Sequence, residues 1–529
     1  MKILGVSCGF HDAAISLIDD GEILFAGHAE RYSKVKHDKE LNSKLLNNAL
    51  DYGYPDFVSY YENPWLKKSR QLYSGQWKDL FTEFSIKRKI AYNTGFRWNK
   101  TCFNYHNHHH SHAAAGFQTS PFNDATVVVI DAIGEWDCIT LWNAYYDGHG
   151  QACYERIWGA KYPNSVGLYY SAMTQKVGLR PLDEEYILMG MAAYGEPIYN
   201  REILERFWKI GGPQILRARE NLHLGTDWHD IKFPEEMEEQ DKYDIAASAQ
   251  VTLEQVVTYI MNFARRLGKS ANLVYMGGVA LNCVCNTAVA RIWEDVWIMP
   301  NPGDAGSSLG AAALTYGKKL NWQGPFLGYD IKGEYPDGEI IKELMSSRQI
   351  VGVANGRAEF GPRALGNRTL FADPRGPDIK DKVNEIKRRQ KFRPFAPMIL
   401  EEKAEEYFDM PLVTEAVPPD TRPSFSVHKR GQPKHFSMKE IPSPFMQYVG
   451  RCKYPSKFPA IVHKDGTSRV QTVGPNDNPE VRKLLKMWEY YTGCPMLLNT
   501  SLNIRGEPMV NDIEDAKRFT ELYGVKVCT

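Results

Sequence analysis

The sequence lacks long apolar runs, paired cysteines and any excess of charge. Its longest apolar run, ATVVVIDAI, is far shorter than the about 18 residues of a membrane span, so we expect no membrane protein. Nine cysteines without a CxxC pair indicate reduced thiols, and Cys283 and Cys285 are too close in sequence for a zinc clip. Lys plus Arg and Asp plus Glu each number 64, so the total charge predicts no polyanionic partner.

The chain is long enough for two domains. Its 529 residues exceed what one hydrophobic core normally serves, and 43% hydrophobic and 24% charged residues describe an ordinary globular protein. The start, MKILGVSCGFHDAAISLI, reaches Asp12 too early for the apolar core of a signal peptide, so we expect a cytoplasmic protein. Proline and glycine between Asn321 and Pro336 are typical of a linker, which predicts domains at residues 1–325 and 326–529.

The segment from Gly356 to Arg393 predicts an anion site. Planar guanidinium groups bind phosphate and carboxylate oxygens bidentately, and a cation among apolar residues such as Phe360 and Leu370 needs an anion. A solvated basic face is the alternative, since most charge runs form one. The cations of the segment are Arg357, Arg363, Arg368, Arg375, Lys387, Arg388, Arg389, Lys391 and Arg393.

A histidine cluster, YHNHHHSHAAAGF, predicts a metal site. On a helix, His108 and His112 would lie one turn apart on the same face and could chelate one ion. Asp131 ends the strand-like run VVVID and Asp304 opens a probable helix, so both could join the ligand set, although an N-cap is the alternative for Asp304. Two imidazoles and two carboxylates suit iron, manganese, zinc or magnesium, and the sequence does not choose among them.

One pattern occurs twice in the first half of the chain: a strand, then an acidic or glycine-rich turn, then a second strand. This duplication is typical of the actin-like ATPase and sugar-kinase fold. The expected strands are Lys2 to Ile18 with Glu22 to Ala26, and Ala125 to Asp131 with Asp137 to Asn143. The expected helices are Ile245 to Leu267 and Asp304 to Tyr316.

Two glycine-rich turns follow strand-like runs and precede helices. They are MGGVALN, which contains Gly277, Gly278 and Asn282, and GDAGSSLGAA. Such turns direct free backbone N–H groups at a phosphate, which makes these residues candidates for nucleotide binding. Neither is a Walker A or a GxGxxG motif, and tight βα turns are the alternative.

Ten motifs in order from Gly9 to Pro508 resemble the NodU/CmcH family of O-carbamoyltransferases, which includes the tobramycin carbamoyltransferase. The resemblance implies an α/β protein whose duplicated, actin-like and sugar-kinase-like N-terminal domain transfers a carbamoyl group. It implies a C-terminal YrdC-like α/β domain that makes carbamoyladenylate from ATP and carbamoyl phosphate. The motifs are GFHDAAISLIDDGEILFAGHAERYSKVKHD, HHHSHAAAGF, VVVIDAIGEWD, DEEYILMGMAAYGEP, MGGVALN, PNPGDAGSSLGAA, GRAEFGPRALGNR, IKRRQKFRPFAP, HKDGTSRVQTV and LLNTSLNIRGEP.

Motif positions carry the implied roles. The resemblance implies a divalent metal bound by His108, His112, Asp131 and Asp304. It implies an adenylation site, with magnesium expected beside ATP, formed by Arg363, Arg368, Lys387, Arg393, Arg469, Ser501 and Asn503. Carbamoyl is small and polar, so Ser501 and Asn503 are suitable hydrogen-bond partners for it.

The first motif supplies the candidates for the acceptor side. His11 and Asp12 could orient or deprotonate the acceptor hydroxyl, because histidine suits a base near neutral pH. A strand-end histidine and a turn aspartate are the alternative. Lys36, in the KHD element, is expected to add a phosphate contact.

Two features depart from the family pattern. Ile187 stands where the family usually has lysine, so we expect a polar contact near the transfer site to be missing. Extra sequence from Val413 to Tyr448 predicts an insertion that affects the acceptor or the assembly. The oligomeric state is left open.

Two stretches are strongly basic. The first, Trp65 to Lys100, has nine basic and two acidic residues, and the second, Arg422 to Lys457, has eight and one, so each carries +7. Basic stretches with interleaved aromatic rings suit a nucleotide or nucleic-acid acceptor, and solvated amphipathic helices are the alternative. The sequence therefore leaves two classes of acceptor: a hydroxymethylated pyrimidine in a nucleotide or DNA, and a sugar or antibiotic-like compound. A kinase-like ATPase and a non-catalytic tRNA- or protein-binding relative are the other hypotheses.

Overall fold

The structure is a computed structural model. It describes residues 1–75, 85–96, 101–211, 218, 222, 226, 228, 230–414 and 438–529. Parts of both basic stretches and residues 415–437 of the predicted insertion lie outside the described residues. Within the described ranges, no helix is both long and apolar enough to cross a membrane.

The first half of the chain forms ten strands among the described residues. In chain order they are β1 (Lys2–Ser7), β2 (Ala14–Asp19), β3 (Glu22–His28), β4 (Phe57–Tyr60), β5 (Cys102–Tyr105), β6 (Asp124–Ile130), β7 (Asp137–Tyr146), β8 (Ala152–Lys161), β9 (Asn272–Met276) and β10 (Asp295–Trp297). Its helices are α1 (Glu30–Ser33), α2 (Ser43–Leu50), α3 (Pro64–Tyr73), α4 (Ile86–Thr94), α5 (His108–Phe117), α6 (Val166–Lys176), α7 (Glu185–Met191), α8 (Asn200–Phe207), α9 (Glu239–Leu267), α10 (Cys283–Ala290) and α11 (Ser307–Tyr316).

These strands form two five-stranded sheets of identical topology. The orders are β3-β2-β1-β4-β5 and β8-β7-β6-β9-β10. In each sheet three antiparallel strands are followed by two parallel ones. The duplication predicted from the repeated strand-turn-strand pattern is confirmed.

The expected single strand from Lys2 to Ile18 is wrong, because the chain reverses between β1 and β2. Gly9 and Asp12 adopt positive φ angles of 94° and 49° in this reversal. His11 and Asp12 therefore lie in a turn and not at a strand end. The predicted helix from Asp304 begins later, at Ser307, which leaves Asp304 in the preceding turn.

The core of the first half contains two small-residue helices, α5 and α11, packed back to back between the sheets. Their AAAG and GAAA sequences permit a close approach. A Cβ atom at Gly310 would lie 1.8 Å from the carbonyl oxygen of Ser111, and one at Gly5 on β1 would lie 1.9 Å from that of Ser308. Glycine is thus required at both positions by backbone contact.

The second half is a mixed α/β unit, so the α/β class is confirmed for the whole chain. Its strands are β11 (Phe326–Ile331), β12 (Ile350–Ala354), β13 (Gly356–Glu359), β14 (Arg368–Ala372), β15 (Ala396–Leu400), β16 (Phe408–Asp409), β17 (Leu412–Thr414), β18 (Met438–Glu440), β19 (Tyr448–Cys452), β20 (Thr467–Val473), β21 (Met496–Ser501) and β22 (Val527–Cys528). Its helices are α12 (Asp337–Leu344), α13 (Ile379–Ile386), α14 (Glu401–Tyr407), α15 (Pro479–Thr492) and α16 (Ile513–Tyr523).

Eight of these strands form one sheet, in the order β16-β19-β20-β15-β21-β14-β12-β22. The predicted linker contains a strand, since β11 lies inside it and pairs antiparallel with β13. The short strands β17 and β18, which precede and follow residues 415–437 in the sequence, pair with each other. The YrdC-like identity of this half and the boundary after residue 325 stay predictions.

Candidate functional site

A cavity of about 410 Å³ lies between the two halves of the chain. It collects residues that the sequence assigned to two different sites. The first half contributes His11, Asp12, Lys36, Asp131, Gly278, Asn282 and Asp304 to its wall. The second half contributes Arg363, Lys387, Arg393, Arg469, Ser501 and Asn503.

His108, His112, Asp131 and Asp304 form a buried group, called here the four-residue cluster. The two histidines lie one turn apart on α5, and their Nε2 atoms are 3.1 Å apart. Oδ2 of Asp131 lies 3.3 Å from Nε2 of His108 and 3.8 Å from that of His112. Oδ1 of Asp304 lies 3.3 and 3.4 Å from the same two nitrogens. The structure brings all four predicted ligands together.

Local backbone contacts set the position of the cluster. Asp131 follows β6, and its Oδ1 accepts a 2.9 Å hydrogen bond from the backbone N–H of Gly278. The carboxylate of Glu135 accepts from the backbone N–H of His108, at the start of α5. Asp304 does not cap α11, whose N-cap is Gly306 without a side-chain bond. The alternative role considered for Asp304 is therefore absent.

The four-residue cluster fits a divalent metal. Its donor atoms lie within 4.8 Å of one another. Burial opposes the charged imidazole of His108, yet Asp304 and Asp131 hold its pKa well above the usual range. Burial likewise opposes the charge on Asp131, but hydrogen bonds from His108 and His112 keep its pKa well below the usual range. Two converging imidazole nitrogens and two buried carboxylates are a donor set that iron, manganese, zinc or magnesium can use.

A further carboxylate lies behind His108. Oε2 of Glu62 is 3.8 Å from Nδ1 of His108, on the side of the ring away from the other ligands. Lys67 and Tyr60 both donate hydrogen bonds to Oε1 of Glu62, at 2.6 and 3.2 Å. A small cavity of about 10 Å³, lined by Glu62, Lys67 and His108, lies beside this pair. That volume holds about one water, which could bridge the carboxylate and the ring.

The backbone N–H groups of Gly277 and Gly278, in the first glycine-rich turn, already have acceptors within the protein. The N–H of Gly278 is used by Asp131, and that of Gly277 donates to the carbonyl of Pro302 at 2.9 Å. The amide of Asn282 exchanges two hydrogen bonds with Gln250 and also caps α10. Gly277 adopts a φ of 94°, which makes it a turn residue. These polar groups are thus used internally, although Gly278 and Asn282 also line the cavity, and nucleotide binding by the three residues stays a prediction.

Five cations of the second half line the cavity, with Lys387 buried and the four arginines half-buried. They are called the cation wall and consist of Arg363, Lys387, Arg389, Arg393 and Arg469. Among the described residues, none of the five forms an ion pair with a carboxylate. Burial, together with neighbouring Arg469, lowers the pKa of Arg363 to about 9, and burial lowers that of Arg393 to about 10. Such a group of cations requires an anionic ligand.

Lys387 contacts two of the other predicted residues. Its ammonium donates to the backbone carbonyl of Ser501, to Oγ of Ser501 at 3.1 Å and to Oδ1 of Asn503 at 2.9 Å. Burial, with Arg389 and Arg393 nearby, holds its pKa well below the usual range. Lys387, Ser501 and Asn503 thus form one polar unit where β21 ends.

Arg368 does not belong to the cavity wall. It is fully buried, and its guanidinium donates to the backbone carbonyls of Asn355, Tyr329 and Asn511 at 3.0, 2.9 and 3.0 Å. It also donates to the carbonyl of Gly356. Its role is to hold the backbone around β14, so the geometry contradicts its assignment to the adenylation site.

His11 and Asp12 lie in a group with two residues that sequence reasoning missed, His37 and Asp183. Nδ1 of His11 is 3.0 Å from Oδ2 of Asp12, and Nδ1 of His37 is 2.8 Å from Oδ1 of Asp12. Nε2 of His37 is 2.8 Å from Oδ1 of Asp183. These four residues are called the His–Asp network. The KHD and DEEY motifs contained the signal, but only Lys36 was chosen from the first.

The pKa of His11 differs from the near-neutral value expected of it. Burial lowers the pKa, but Asp304 and Asp12 raise it further, to about 9. Nε2 of His11 lies 3.7 Å from Oδ2 of Asp304. Because Asp304 is a member of the four-residue cluster, the shift depends on what that cluster binds.

The remaining sequence predictions concern surfaces near the site. Ile187 is buried in the hydrophobic core, while its neighbours Glu185 and Tyr186 line the cavity. In the first basic stretch, Lys67 pairs with Glu62, Lys89 pairs with Glu40, and Arg70 is buried against the backbone of Glu135. These described cations are used internally. The nucleic-acid interpretation of both basic stretches remains a prediction.

Comparisons with known proteins agree over most of the chain. The family model described as Carbamoyltransferase N-terminus matches residues 77–313, and the model described as Carbamoyltransferase C-terminus matches residues 342–528. An uncharacterized protein of Synechocystis, sll1178, is 33% identical over 98% of this chain and 93% of its own length. Nodulation protein NolNO of Sinorhizobium fredii is 30% identical over 96% of this chain and 76% of its own length.

Two further comparisons are more distant. Nodulation protein U of Rhizobium tropici is 27% identical over 97% of this chain and 92% of its own length. The activator of 2-hydroxyisocaproyl-CoA dehydratase from Clostridium difficile is a solved structure with 13% identity and a TM-score of 0.31, covering 60% of this chain and 94% of that chain. The ROK hexokinase from Thermus thermophilus has 14% identity and a TM-score of 0.29, covering 59% and 97%.

Proposed function

This chain belongs to the NodU/CmcH-type carbamoyltransferases and is an O-carbamoyltransferase, and from this premise we propose that it makes carbamoyladenylate and then transfers the carbamoyl group to an acceptor hydroxyl. The observation that carries the proposal is the shared cavity. Unpaired cations and an acid–imidazole cluster line the same space, so an intermediate formed at one would be within reach of the other.

The cation wall suits the first step. ATP and carbamoyl phosphate are both strongly anionic, so holding them within bonding distance requires several fixed cations. Water cleaves carbamoyl phosphate to carbamate and inorganic phosphate. A carbamate oxygen then attacks the α-phosphate of ATP, and pyrophosphate departs. One water is consumed, so the products are carbamoyladenylate, pyrophosphate and phosphate. Ser501 and Asn503, held by Lys387, are suited to hydrogen-bond the carbamoyl amide.

The four-residue cluster and His11 suit the second step. His108, His112, Asp131 and Asp304 would hold the metal, and a divalent ion there supplies Lewis-acid stabilisation of the charge that develops on the departing AMP. The acceptor oxygen attacks the carbamoyl carbon, and the bond between that carbon and the bridging phosphate oxygen breaks, so that AMP departs. The hydroxyl proton passes to Nε2 of His11, because Nδ1 faces Asp12. Lys36 lines the same cavity and supplies a phosphate contact.

The acceptor is proposed to be a hydroxyl compound, either a hydroxymethylated pyrimidine or a sugar-like molecule. A small acceptor is supported by the first basic stretch, where Lys67 and Lys89 are already paired with carboxylates. A DNA acceptor would make binding steeply salt-dependent, since phosphate contacts release counterions. Binding measured in rising salt therefore distinguishes the two.

The experiment separates the two steps. Enzyme, ATP and labelled carbamoyl phosphate are followed in single turnover for pyrophosphate release and for carbamoylated product. The acceptors are 5-hydroxymethyldeoxyuridine monophosphate, DNA containing that base, and an aminoglycoside, with the product read by mass spectrometry. We expect Lys387→Ala to abolish pyrophosphate release and His112→Ala to preserve it while removing transfer.

Two results would count against the proposal. If His112→Ala blocked pyrophosphate release as severely as Lys387→Ala, the division into two steps would be wrong. If ATP were consumed without carbamoyl phosphate, the kinase-like ATPase would be the better description.

A further inference from the structure

The His–Asp network is continuous from the four-residue cluster to the far side of the cavity. Starting at Asp304, it passes through His11, Asp12 and His37 to Asp183, and after the first contact of 3.7 Å every link is between 2.8 and 3.0 Å. All of these residues line the same cavity. Asp183 is distant in sequence, 146 residues from His37. The family resemblance assigned no role to His37 or Asp183.

Two residues of the network adopt a strained backbone. Asp12 and His37 have φ angles of 49° and 54°, in the left-handed region that residues other than glycine seldom occupy. Such a conformation persists only where the surrounding structure enforces it, and it is concentrated at functional sites. Glycine at either position would relieve the strain, so the side chains are kept at a cost.

Backbone hydrogen bonds hold the two strained segments together. The N–H groups of Gly9 and Ala13, which flank His11 and Asp12, donate to the carbonyls of Lys39 and Asp38 at 2.8 and 2.7 Å. The N–H of His37 donates to Oε2 of Glu30 at 3.0 Å. The placement of the His37 ring against Asp12 is therefore fixed from both segments.

Both ring nitrogens of His37 are occupied. Nδ1 faces Asp12 and Nε2 faces Asp183, so no lone pair is left for a metal, although donor atoms of Asp12, Glu30 and His37 lie within 4.8 Å of one another. The other oxygen of Asp183, Oδ2, lies 2.7 Å from Nη2 of Arg180, whose side chain is exposed to solvent. An imidazole between two carboxylates orients both of them, as second-layer hydrogen bonds do in many active sites.

We propose that His37 and Asp183 are positioning residues for carbamoyl transfer: Asp183 orients the His37 ring, His37 fixes the Asp12 carboxylate, and Asp12 presents Nε2 of His11 to the acceptor hydroxyl. This assignment rests on the proposed function. In the transfer step the acceptor O–H bond breaks and its proton goes to Nε2 of His11. The new bond joins that oxygen to the carbamoyl carbon, and AMP departs. His37 and Asp183 touch neither reactant.

The test compares variants of the full-length enzyme that change one link each. His37→Gln places its amide near the position of Nε2 and leaves no donor at the position of Nδ1, which faces Asp12. Asp183→Asn keeps the shape of the side chain but removes its charge. We expect each to lower the single-turnover rate of transfer by about 10- to 100-fold, while pyrophosphate release and the acceptor KM stay unchanged. His37→Asn keeps a donor at the Nδ1 position and tolerates the positive φ, so it should recover part of the rate.

Arg180→Ala is the matched control. Its side chain is 68% exposed and contacts the other oxygen of Asp183, and an exposed ion pair contributes little. It should leave transfer unchanged. Thermal unfolding of each variant identifies any that lose activity through misfolding. If His37→Gln does not fold, Asp183→Asn still tests the proposal, because Asp183 has no backbone strain of its own.

The outcomes separate this assignment from the proposed function. If wild-type enzyme releases pyrophosphate and forms product but both variants transfer at the wild-type rate, the positioning role is overturned and the function stands. The same conclusion follows if rate loss tracks a loss of pyrophosphate release. If wild-type enzyme forms no carbamoyladenylate at all, the proposed function fails and this assignment fails with it.

Discussion

The two walls of the cavity handle charge in opposite ways. In the first half, every member of the His–Asp network and of the four-residue cluster has an oppositely charged neighbour. In the cation wall, the described residues include no carboxylate paired with Arg363, Arg393 or Arg469, and burial lowers the pKa of each of the three. The first wall is organised before any substrate arrives, whereas the second is completed by its anionic ligands.

The largest effect is expected from a substitution in the cation wall. Arg363→Met should lower carbamoyladenylate formation by about 1,000-fold, because one fixed donor to a developing anion is lost. The same change should leave the thermal midpoint of the free protein equal or higher, since it removes a half-buried cation that pairs with no carboxylate of the described residues. Pyrophosphate release and thermal unfolding measure the two effects. A lowered midpoint with normal pyrophosphate release would contradict this view of the wall.

The same substitution at Arg368, five residues after Arg363, should have the opposite effect: it should lower stability and leave ATP binding unchanged. Arg368→Met leaves several buried carbonyls without a donor, so unfolding free energy should fall by about 3 kcal/mol or more. Whatever fraction remains folded should bind ATP normally, because Arg368 does not line the cavity. Denaturant unfolding measures the loss of stability, and a nucleotide-binding assay measures the affinity for ATP. Weak binding by a fully stable variant would place Arg368 at the site after all.

A smaller effect tests the organisation of the first wall. Glu62→Gln should weaken binding of Co²⁺ or Zn²⁺ by about 10- to 100-fold, because the carboxylate behind His108 orients its ring. Glu135→Gln is the control, since its side chain meets the backbone of His108 and not the imidazole. Metal titration followed by the visible spectrum of Co²⁺ reports affinity and geometry without any substrate. Equal losses in the two variants would argue for a general loosening of α5.

The smallest effect concerns pH. Burial lowers the pKa of His37, but Asp12 and Asp183 raise it further, to about 10 from an ordinary value of 6.5. The stability that this histidine contributes is therefore complete below about pH 6.5 and is lost as the pH rises through 10. The thermal midpoint of the wild type should fall over that window more than that of His37→Gln. Parallel curves would show that His37 does not carry its charge in the folded protein.

The sequence predicted best what depends on local spacing. The HxxxH pair lies on one helix, and Asp131 and Asp304 each follow a strand or precede a helix, so their convergence follows from the fold class. The repeated strand-turn-strand pattern likewise revealed the duplicated sheet. The turn between β1 and β2 was missed because both strands are apolar and the intervening residues include no proline.

Roles that depend on the tertiary surroundings of a residue could not be predicted from the sequence. Arg363 and Arg368 share the same glycine-rich segment, and only the folded chain shows that one faces the cavity and the other backbone carbonyls. The N–H groups of Gly277 and Gly278 looked free, but Pro302 and Asp131 use them. The contact between His37 and Asp183 joins segments that no local pattern relates.

The packing of α5 against α11 limits how the enzyme can move. With the Gly310 backbone pressed on the carbonyl of Ser111, the two helices have no freedom to slide, and they carry or adjoin all the histidine ligands and Asp304. We therefore expect the two sheets on either side of these helices to move together as one unit. For the proposed function we therefore expect ATP to enter at the seam between the two halves, where Arg505 pairs with Glu184 and Arg31 donates to the carbonyl of Gly361.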